Sequence, residues 1–348
     1  MKKGNFKVLV LMGGSSAERD VSLASGEAIV GALKEAGYKV MALDTAQGNK
    51  LLADNGKYLT GGVKTKPPDT KDLQKSESKL TLKAIETFDF SEVDVIFLAL
   101  HGGSGENGTI QALLDMTGKP YTGSGMLASA LCMDKAMSKK IFERDGIPTP
   151  RWFLLKEEKM ADIVTIETLI ESNLGFPVVV KPNDQGSTIG FSIVHTPSKL
   201  KEAIQKAEHY SNEVLFEEYI PGRELTVGVL DDQALPVVEI VPEHGVYDYE
   251  CKYTKGKSKY VCPAELPKHK TEEICAYGLK AFKSLKCEGY ARVDFRYSKN
   301  ERFYCLEVNS LPGMTATSLV PKAAKAMGIE FPELIDRIVQ SALSKRRW

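Results

Sequence analysis

Short apolar runs alternate with a helical stretch along the first third of the chain. Residues 7–12 form a compact apolar run that ends at Gly13, and a second apolar run covers residues 93–100. Between the two runs, apolar residues recur every three or four positions from Ser25 until Gly37, which is helical spacing followed by a glycine stop. Strands that alternate with helices build parallel sheets. This order therefore predicts a parallel α/β domain with functional loops at the carboxyl ends of its strands.

The most regular alternation of apolar and polar positions lies near the carboxyl end. β-branched and aromatic residues alternate with polar ones in residues 290–297 and again in residues 302–309. The link at residues 298–301 is typical of a hairpin. The pattern predicts two paired antiparallel strands, followed by a sharp turn at Pro312 and Gly313.

Pairing of these two strands would bring a group of polar side chains together, because side chains on a strand alternate between its two faces. They are Arg292, Asp294, Glu307 and Asn309. Such oxygen ligands suit Mg²⁺, which takes one or two carboxylates and fills its other positions with phosphate oxygens and water. The alternative is that these charges only form the solvated face of a half-buried sheet. The apolar neighbours Leu306 and Val308 favour the first interpretation, a site that handles ATP phosphates.

The other patterned segments predict two further units after the first. They comprise a helix at 133–144, strands at 177–181, 225–230 and 237–241, and a final helix at 332–344. Residues 47–79 are rich in Lys, Asp, Gly and Pro with little periodicity, and we expect a peripheral insertion or long loop there. A chain of 348 residues is long for one core, and we predict three domains at 1–122, 123–220 and 221–348.

Charge and cysteine content limit the classes of function. The 46 Lys and Arg residues balance the 46 Asp and Glu residues, so no overall field favours nucleic acid or an anionic membrane. The six cysteines are scattered without a CxxC pair, which indicates reduced thiols. No segment is long enough to span a bilayer, and the first apolar run is too short for a signal peptide. These features predict a cytoplasmic location with no nucleic-acid or membrane partner.

Glycines after one strand indicate how a phosphate could be bound. The two common nucleotide loops are absent, because the glycine pair after the first strand lacks GxGxxG spacing and Cys251 stands where a Walker A loop ending at 256–258 needs glycine. After a strand of three valines, Gly186 and Gly190 let backbone N–H groups line an anion while Lys181 supplies a positive charge. The alternative is a plain glycine turn with a lysine that reaches solvent.

Two weaker signals also fit a nucleotide. Residues 216–220 end a strand and precede Glu224, so a backbone edge and carboxylates could meet an adenine amine and ribose hydroxyls. Lys135 lies in the first turn of the predicted helix at 133–144, where the helix dipole disfavours a cation, and this placement indicates a nearby anion. An exposed helix lysine is the alternative interpretation.

Taken in order, these motifs resemble the ATP-grasp superfamily and, within it, the D-alanine:D-alanine ligase family. The resemblance covers nearly the whole chain. Its motifs lie at 13–26, 101–108, 121–125, 133–139, 181–190, 247–253, 291–294 and 307–315. It implies a three-domain ATP-grasp architecture that is α/β in the amino-terminal substrate domain. The central and carboxy-terminal ATP-grasp domains would be α+β, and the last would carry the metal site and a lid loop.

For the cofactors, the resemblance implies ATP and two Mg²⁺ (or Mn²⁺) ions. The implied metal ligands are Asp294 and Glu307 for one ion, and Glu307 and Asn309 for the other. The residues implied for ATP are Lys135 and Lys181 at the α- and β-phosphates, Lys252 at the γ-phosphate, Glu217 and the Ile220 backbone at adenine, and Glu224 at ribose.

For the substrates, the resemblance implies contacts on both sides of the reacting carbonyl. Glu18 would anchor the ammonium group of the first D-alanine and, with Ser187 and Tyr253, form the hydrogen-bonded set that closes the active-site loop. Arg292 and the Gly313 N–H would stabilise the oxyanion. Ser318 would bind the carboxylate of the second D-alanine.

The implied reaction joins two D-alanines through D-alanyl phosphate and yields D-alanyl-D-alanine, ADP and phosphate for peptidoglycan synthesis, in a homodimer. Residues 243–263 have the length and tyrosine content of a lid. Two alternatives stay open: a ligase that takes D-lactate or D-serine as second substrate, and a module that only binds ATP. Tyr253 argues against the lactate form. Arg292 argues against the module, because binding alone needs no oxyanion group.

The chain departs from the family pattern at two positions near the substrate-side loop. Asn107 stands where aspartate is usual, and Ala112 stands where glycine often follows Gln111. We expect these changes to affect the fine tuning of the substrate-side loop and not the reaction itself. His101 is either a contact of the first substrate or a packed, hydrogen-bonded histidine.

Overall fold

The computed structural model describes most of the chain. It covers residues 3–54, 56–63, 71–159, 162–243, 245, 247, 251, 252, 254 and 256–345, with residues 71–78 and 159 described by their backbone alone. Two tyrosines of the predicted lid, Tyr249 and Tyr253, lie outside the described residues. None of the helices in these ranges is long and apolar enough to cross a bilayer.

A three-stranded parallel sheet forms the amino-terminal part. Its strands are β1 (Lys7–Met12), β2 (Lys39–Asp44) and β3 (Val95–Leu98), in the order β2-β1-β3. The helices that follow these strands are α1 (Arg19–Glu35), α2 (Lys71–Thr87) and α3 (Thr109–Thr117). Strand β1 is a continuous apolar run because it is the middle strand, and residues 8–12 are fully buried. The predicted parallel α/β part is confirmed.

Two sequence predictions for this part are wrong in detail. Helix α1 begins at Arg19 and not at Ser25, because its first turn is mostly polar and hides the apolar spacing. The loop predicted at 47–79 is helical from Lys71 onward, since α2 begins there. The buried side chains that give α2 its helical spacing come after this polar stretch; they are Thr81, Ala84 and Ile85.

A four-stranded antiparallel sheet forms the central part. In sheet order its strands are β4 (Trp152–Lys156), β7 (Glu213–Glu218), β5 (Val178–Pro182) and β6 (Ser192–Val194). The helices of this part are α4 (Met126–Met133), α5 (Lys135–Arg144), α6 (Ile163–Asn173) and α7 (Leu200–Glu208). The helix predicted at 133–144 begins two residues later than expected, at Lys135, because Asp134 separates it from α4 and caps it by accepting a hydrogen bond from Met137 N at 2.9 Å.

A six-stranded sheet forms the last part. Its strands are β8 (Gly222–Leu230), β9 (Gln233–Ala234), β10 (Val238–Pro242), β11 (Ser258–Val261), β12 (Tyr290–Ser298) and β13 (Phe303–Asn309). The order is β11-β10-β8-β12-β13 with β9 beside β8, and the pairings are antiparallel. The helices of this part are α8 (Lys268–Ser284), α9 (Leu319–Ala326) and α10 (Phe331–Ser344). The predicted hairpin of β12 and β13 is confirmed.

The last two helices return to the amino-terminal sheet. Ile335, Ile338 and Val339 of α10 belong to the same buried core as β1 and β3, because apolar positions three and four residues apart share one helix face. The segment between β13 and α9 is held against α1, where Met314 N donates a hydrogen bond to Ser25 Oγ at 3.3 Å. This packing brings the end of β13 next to the amino-terminal part.

Two glycines of α1 allow a matched test of how tightly α1 packs on β1. A Cβ atom on Gly26 would lie 2.6–2.7 Å from the buried Met12 side chain, whereas a Cβ atom on Gly31 would meet nothing within 4 Å. We expect Gly26→Ala to lower the free energy of unfolding by about 1–3 kcal/mol through overpacking. Gly31→Ala should raise it by about 1 kcal/mol through helix propensity.

The measurement is the midpoint of urea unfolding, monitored by circular dichroism, for both variants and the wild type. Because both substitutions add the same methyl group to the same helix, they share any effect on the unfolded chain. Shifts of equal sign and size would contradict the close approach of α1 to β1.

Candidate functional site

Strands β12 and β13 place the predicted metal ligands opposite each other. In the antiparallel register Asp294 pairs with Glu307 and Arg292 pairs with Asn309, and a register shift after Asp294 marks a bulge. The Asp294 carboxylate accepts hydrogen bonds from Arg292 Nη2 at 2.8 Å and from Asn309 Nδ2 at 2.9 Å. From the neighbouring strand β8, Thr226 Oγ1 donates to it at 2.7 Å. These donors fix the orientation of the carboxylate.

Glu307 lies among positive side chains that keep its carboxylate charged. Burial alone would raise the pKa of Glu307, but nearby cations lower it to about 2. These cations are Lys135, Lys181, Lys252 and Arg292. Lys135 Nζ lies 3.4 Å from Glu307 Oε2. At neutral pH the Glu307 carboxylate is therefore ionised and available to a metal ion or to the surrounding lysines.

The donor set of β12 and β13 fits a divalent metal ion beside a nucleotide. Among the described residues, no group of three His, Cys, Asp or Glu side chains could hold a metal. Mg²⁺ needs only one or two carboxylates from the protein when phosphate oxygens and water supply its other ligands. Asp294, Glu307 and the Asn309 amide offer two carboxylates and an amide oxygen on adjacent strands. A metal ion held here would therefore need phosphate oxygens to complete its coordination.

A buried charge cluster joins the central sheet to α5. Glu217 of β7 is 3% exposed, and its carboxylate lies 2.5 Å from Lys139 Nζ and 3.0 Å from Lys181 Nζ. Burial alone would raise the pKa of Glu217, but the two ammonium groups lower it. Burial lowers the pKa of Lys139, an effect that Glu217 opposes. Lys139 Nζ also donates a hydrogen bond to Thr149 Oγ1 at 2.6 Å.

One cleft gathers the residues predicted to bind ATP. The predicted residues that line it are Lys135, Lys181, Glu217, Ile220, Glu224, Lys252, Asp294 and Glu307. The apolar side chains of Val179, Ile193 and Leu306 form part of its wall, which suits a flat base.

An arginine that the sequence analysis missed holds Glu224 in this cleft. Arg296 faces Glu224 in register across β12 and β8, and its Nη1 atom lies 3.2 Å from Glu224 Oε2. Arg296 also donates hydrogen bonds to the carbonyl oxygens of Ile220 at 3.1 Å and Gly222 at 2.7 Å. Burial raises the pKa of Glu224, and Arg296 opposes that rise. Arg296 therefore fixes both the carboxylate and the turn that enters β8.

The glycine loop, residues 183–190, bridges the cleft and the amino-terminal part. Ser187 and Thr188 adopt left-handed backbone conformations with φ of 50° and 62°. The Ser187 hydroxyl donates a hydrogen bond to Glu18, and Lys252 Nζ donates to Thr188 Oγ1 at 2.9 Å. Contacts from distant parts of the chain therefore hold this strained loop in place.

A second cavity adjoins the first. The predicted residues that line it are Glu18, Ser187, Arg292, Asn309, Gly313 and Ser318, and His101 also lines it. Of the residues that the structure describes, Gly186, Tyr247 and Lys252 line both cavities. The end of the first cleft that Lys252 lines therefore adjoins the second cavity.

The amino-terminal wall of the second cavity carries two carboxylates and a histidine. Burial raises the pKa of Glu18, and the nearby Glu106 raises it further. His101 Nδ1 lies 3.6 Å from Glu106 Oε1, and its Nε2 atom lies 2.9 Å from Ser25 Oγ. His101 is thus buried and hydrogen-bonded, and it also lines the cavity. This wall would favour a positively charged group such as an ammonium.

The opposite wall is the segment after β13. Thr315 N donates a hydrogen bond to Ser318 Oγ at 3.0 Å, which fixes the hydroxyl at the start of α9. A Cβ atom on Gly313 would lie 3.3 Å from Ser318 Oγ, so a side chain there would crowd the hydroxyl. The backbone of Gly313 is therefore accessible from the cavity that both residues line.

Each predicted site residue in the described part of the chain lines one of the two cavities. Tyr253 lies outside the described residues. The roles assigned to these residues stay predictions. Sequence reasoning missed Lys139, Thr226 and Arg296. A signal existed for Lys139, because it follows Lys135 by one helical turn and shares its helix face.

Two family models match nearly all of the chain. The one described as "D-ala D-ala ligase N-terminus" matches residues 7–124, and the one described as "D-ala D-ala ligase C-terminus" matches residues 141–340. The residues between the two matches, 125–140, contain α4 and the first part of α5.

Relatives and solved structures agree with this match. A protein named D-alanine--D-alanine ligase from Desulforamulus reducens is 43% identical over 98% of this chain and 99% of its own length. A second of the same name from Pelotomaculum thermopropionicum is 43% identical over 97% of each chain. The crystal structure of the D-alanine--D-alanine ligase from Bacillus anthracis complexed with ATP has a TM-score of 0.73 and 33% identity, with 97% of each chain covered.

The buried pairing of Glu217 gives a prediction for stability and its pH dependence. We expect Glu217→Gln to lower the free energy of unfolding by roughly 3–5 kcal/mol at pH 7, because it leaves Lys139 buried without its partner. The pKa of Glu217 is lowered from its ordinary value of 4.5 by folding. The stability that its charge contributes is therefore complete above this value and is lost as the pH falls through the lowered pKa.

The melting temperatures of wild type and variant, measured from pH 8 down to acid, should accordingly converge only below pH 4.5. The matched control is Glu218→Gln on the next residue, whose partner Arg151 is 61% exposed, and we expect little change there. A constant gap between wild type and Glu217→Gln at every pH would contradict the assigned charge state.

Proposed function

The chain belongs to the D-alanine–D-alanine ligase family, and we propose that it uses ATP to join two D-alanine molecules into D-alanyl-D-alanine. The products would be the dipeptide, ADP and phosphate, with D-alanyl phosphate as the intermediate. The observation that carries this proposal is the shared wall of the two cavities. A nucleotide in the first cleft would present its terminal phosphate to a carboxylate in the second.

The first cleft supplies cations where ATP carries negative charge. We assign Lys135 and Lys181 to the α- and β-phosphates and Lys252 to the γ-phosphate. Burial lowers the pKa of Lys252, and the nearby Glu307 opposes that effect. Phosphoryl transfer depends mainly on positioning and charge neutralisation. These lysines would hold the reacting phosphate in line with the substrate carboxylate.

Adenine and ribose would occupy the far end of the same cleft. Glu217 Oε2 lies 2.5 Å from Lys139 Nζ, and a carboxylate oxygen can accept more than one hydrogen bond. An adenine amine could donate to this oxygen, and the Ile220 backbone would meet the edge of the base. We assign Glu224 to the ribose hydroxyls, because Arg296 fixes its orientation.

We assign the metal ions to Asp294, Glu307 and Asn309. Two Mg²⁺ or Mn²⁺ ions bound by this donor set would neutralise the charge that develops on the transferred phosphate. The orientation of Asp294 depends on Arg292 and Thr226, which both donate to it.

The second cavity would bind both amino acids. We assign Glu18, whose carboxylate accepts the Ser187 hydrogen bond, to the ammonium group of the first D-alanine. After the acyl phosphate forms, the amine of the second D-alanine attacks its carbonyl carbon and phosphate leaves. Arg292 and the Gly313 N–H would stabilise the oxyanion that develops during this attack. Ser318 would bind the carboxylate of the second D-alanine.

Acyl phosphates react with water, so the site must exclude it. Gly186 of the glycine loop lines both cavities, as do Tyr247 and Lys252 of the segment at 243–263. Tyr247 Oη lies 3.2 Å from Tyr260 Oη, which joins the segment to β11. We propose that the glycine loop and this segment act together as the lid, with Tyr253 closing the hydrogen-bonded set of Glu18 and Ser187.

We further propose that the protein is a cytoplasmic homodimer that supplies precursor for peptidoglycan. Its dipeptide product is made from small cytoplasmic metabolites and ATP.

The reaction is tested by phosphate release from ATP and Mg²⁺ with D-alanine, with L-alanine as the control. We expect release that depends on D-alanine and parallels dipeptide formation by mass spectrometry. D-Serine and D-lactate are offered as second substrates across the pH range. Preference for D-lactate near neutral pH would overturn the assignment of the acceptor. The absence of phosphate release with every amino or hydroxy acid tried would overturn the proposed reaction.

The role of Arg292 separates a ligase from a module that only binds ATP. We expect Arg292→Met to reduce kcat by about 100-fold or more, as for the loss of an oxyanion donor, and to leave the Kd for ATP nearly unchanged. Calorimetry and the phosphate assay measure the two effects. The control Arg223→Met removes an arginine from β8 that pairs with Glu239 at 2.6 Å, and we expect kcat to be unaffected. Full activity of Arg292→Met would remove Arg292 from the mechanism.

A further inference from the structure

A lysine of α9 lies in the wall of the second cavity and has no role in the assignments above. Lys322 lines this cavity together with Ser318, Thr315 and Gly313. Its ammonium group lies 5.3 Å from the centre of the Tyr260 ring. Burial lowers the pKa of Lys322, which means that its surroundings disfavour an isolated positive charge.

The helix geometry directs Lys322 toward Ser318. Lys322 N donates a hydrogen bond to Ser318 O at 3.0 Å, so the two residues are one helical turn apart. Residues four positions apart share one face of a helix. Side chains on a helix also tilt toward its amino-terminal end. The Lys322 side chain therefore extends along the cavity wall toward the hydroxyl of Ser318.

Lys322 differs from the neighbouring cations in its pairing. In the described part of the chain, no carboxylate lies within 4.0 Å of the Lys322 ammonium group. Arg292, in the same cavity, is paired with Asp294 at 2.8 Å. Lys325, which lies three residues after Lys322 on α9, is 70% exposed and lies 3.5 Å from Glu330. A partly buried lysine without an anionic partner is costly, and a ligand carboxylate would remove that cost.

We propose that the Lys322 ammonium binds the carboxylate of the second D-alanine, together with the Ser318 hydroxyl. The proposal rests on the proposed function and adds a residue that determines specificity for the acceptor. Lys322 would select acceptors that carry a carboxylate over neutral analogues of the same size. The Tyr260 ring beneath the ammonium would keep the side chain extended, because a cation over an aromatic face is attracted to it.

Lys322→Met tests the proposal, because methionine keeps an unbranched apolar stem over Tyr260 and removes the charge. We expect the KM for the second D-alanine to rise about 10- to 100-fold, in line with the loss of a charge-assisted contact. The KM for ATP should stay unchanged. Lys322→Arg should restore much of the lost affinity. Lys325→Met, on the same helix, is the matched control and should leave every constant unchanged.

A competition between D-alanine and D-alaninamide as acceptors identifies the group that Lys322 binds. We expect the wild type to prefer D-alanine, and Lys322→Met to lose most of that preference in the product ratio measured by mass spectrometry. An unchanged preference would show that Lys322 only packs on Tyr260 and would overturn the proposal.

A binding measurement separates this proposal from the reaction itself. Calorimetric titration with D-alanyl-D-alanine in the presence of ADP is carried out on the wild type, Lys322→Met and Lys325→Met. Binding that only Lys322→Met weakens by about 10- to 100-fold supports the carboxylate site, with or without turnover. Equal binding by the three proteins, or no binding by the wild type, overturns it. Failure of the wild type to form dipeptide would overturn the proposed function alone.

Discussion

The Glu217 carboxylate, held between the ammonium groups of Lys139 and Lys181, joins helix α5 to the middle strands of the central sheet. Neither ammonium group could be buried there without this carboxylate, because an unpaired buried charge is strongly destabilising. A second carboxylate, Glu307, balances Lys135 and its neighbours at the other end of the cleft. The cations that suit a polyphosphate are thus kept in place by two acidic side chains. The architecture depends on that balance.

The register of the strands fixes the positions of the charged side chains relative to one another. The ladder of β8, β12 and β13 sets Asp294 opposite both Thr226 and Glu307. The same ladder sets Arg296 opposite Glu224, two residues along the strand, so Asp294, Arg296 and the residues opposite them share one sheet face. The amino-terminal part forms the other wall of the second cavity. Helix α10 packs into the core of the amino-terminal sheet, and the segment after β13 lies against α1. One face of the sheet therefore meets both cavities.

The accuracy of sequence reasoning followed the range of the interactions involved. The positions of Asp294 and Glu307 could be predicted, because the period of a strand and a short link determine which side chains meet. Lys139 was missed although it shares a helix face with Lys135, because its burial depends on Glu217, which lies far away in the sequence and on another element. The helical part of residues 47–79 was missed because its polar residues carry helix propensity without an apolar period. Elements and contacts set by local periodicity could be predicted from the sequence, whereas side-chain pairings between distant elements could not.

The glycine loop shows how local strain and long-range contact depend on each other. Left-handed conformations at Ser187 and Thr188 cost of order 1 kcal/mol each for residues with a side chain. Hydrogen bonds from outside the loop offset this cost: Ser187 donates to Glu18, and Lys252 donates to Thr188. Because the loop conformation relies on those partners, displacement of Glu18 or Lys252 would release it. The proposed lid would use this dependence, because a loop that relies on such contacts can open when they are lost.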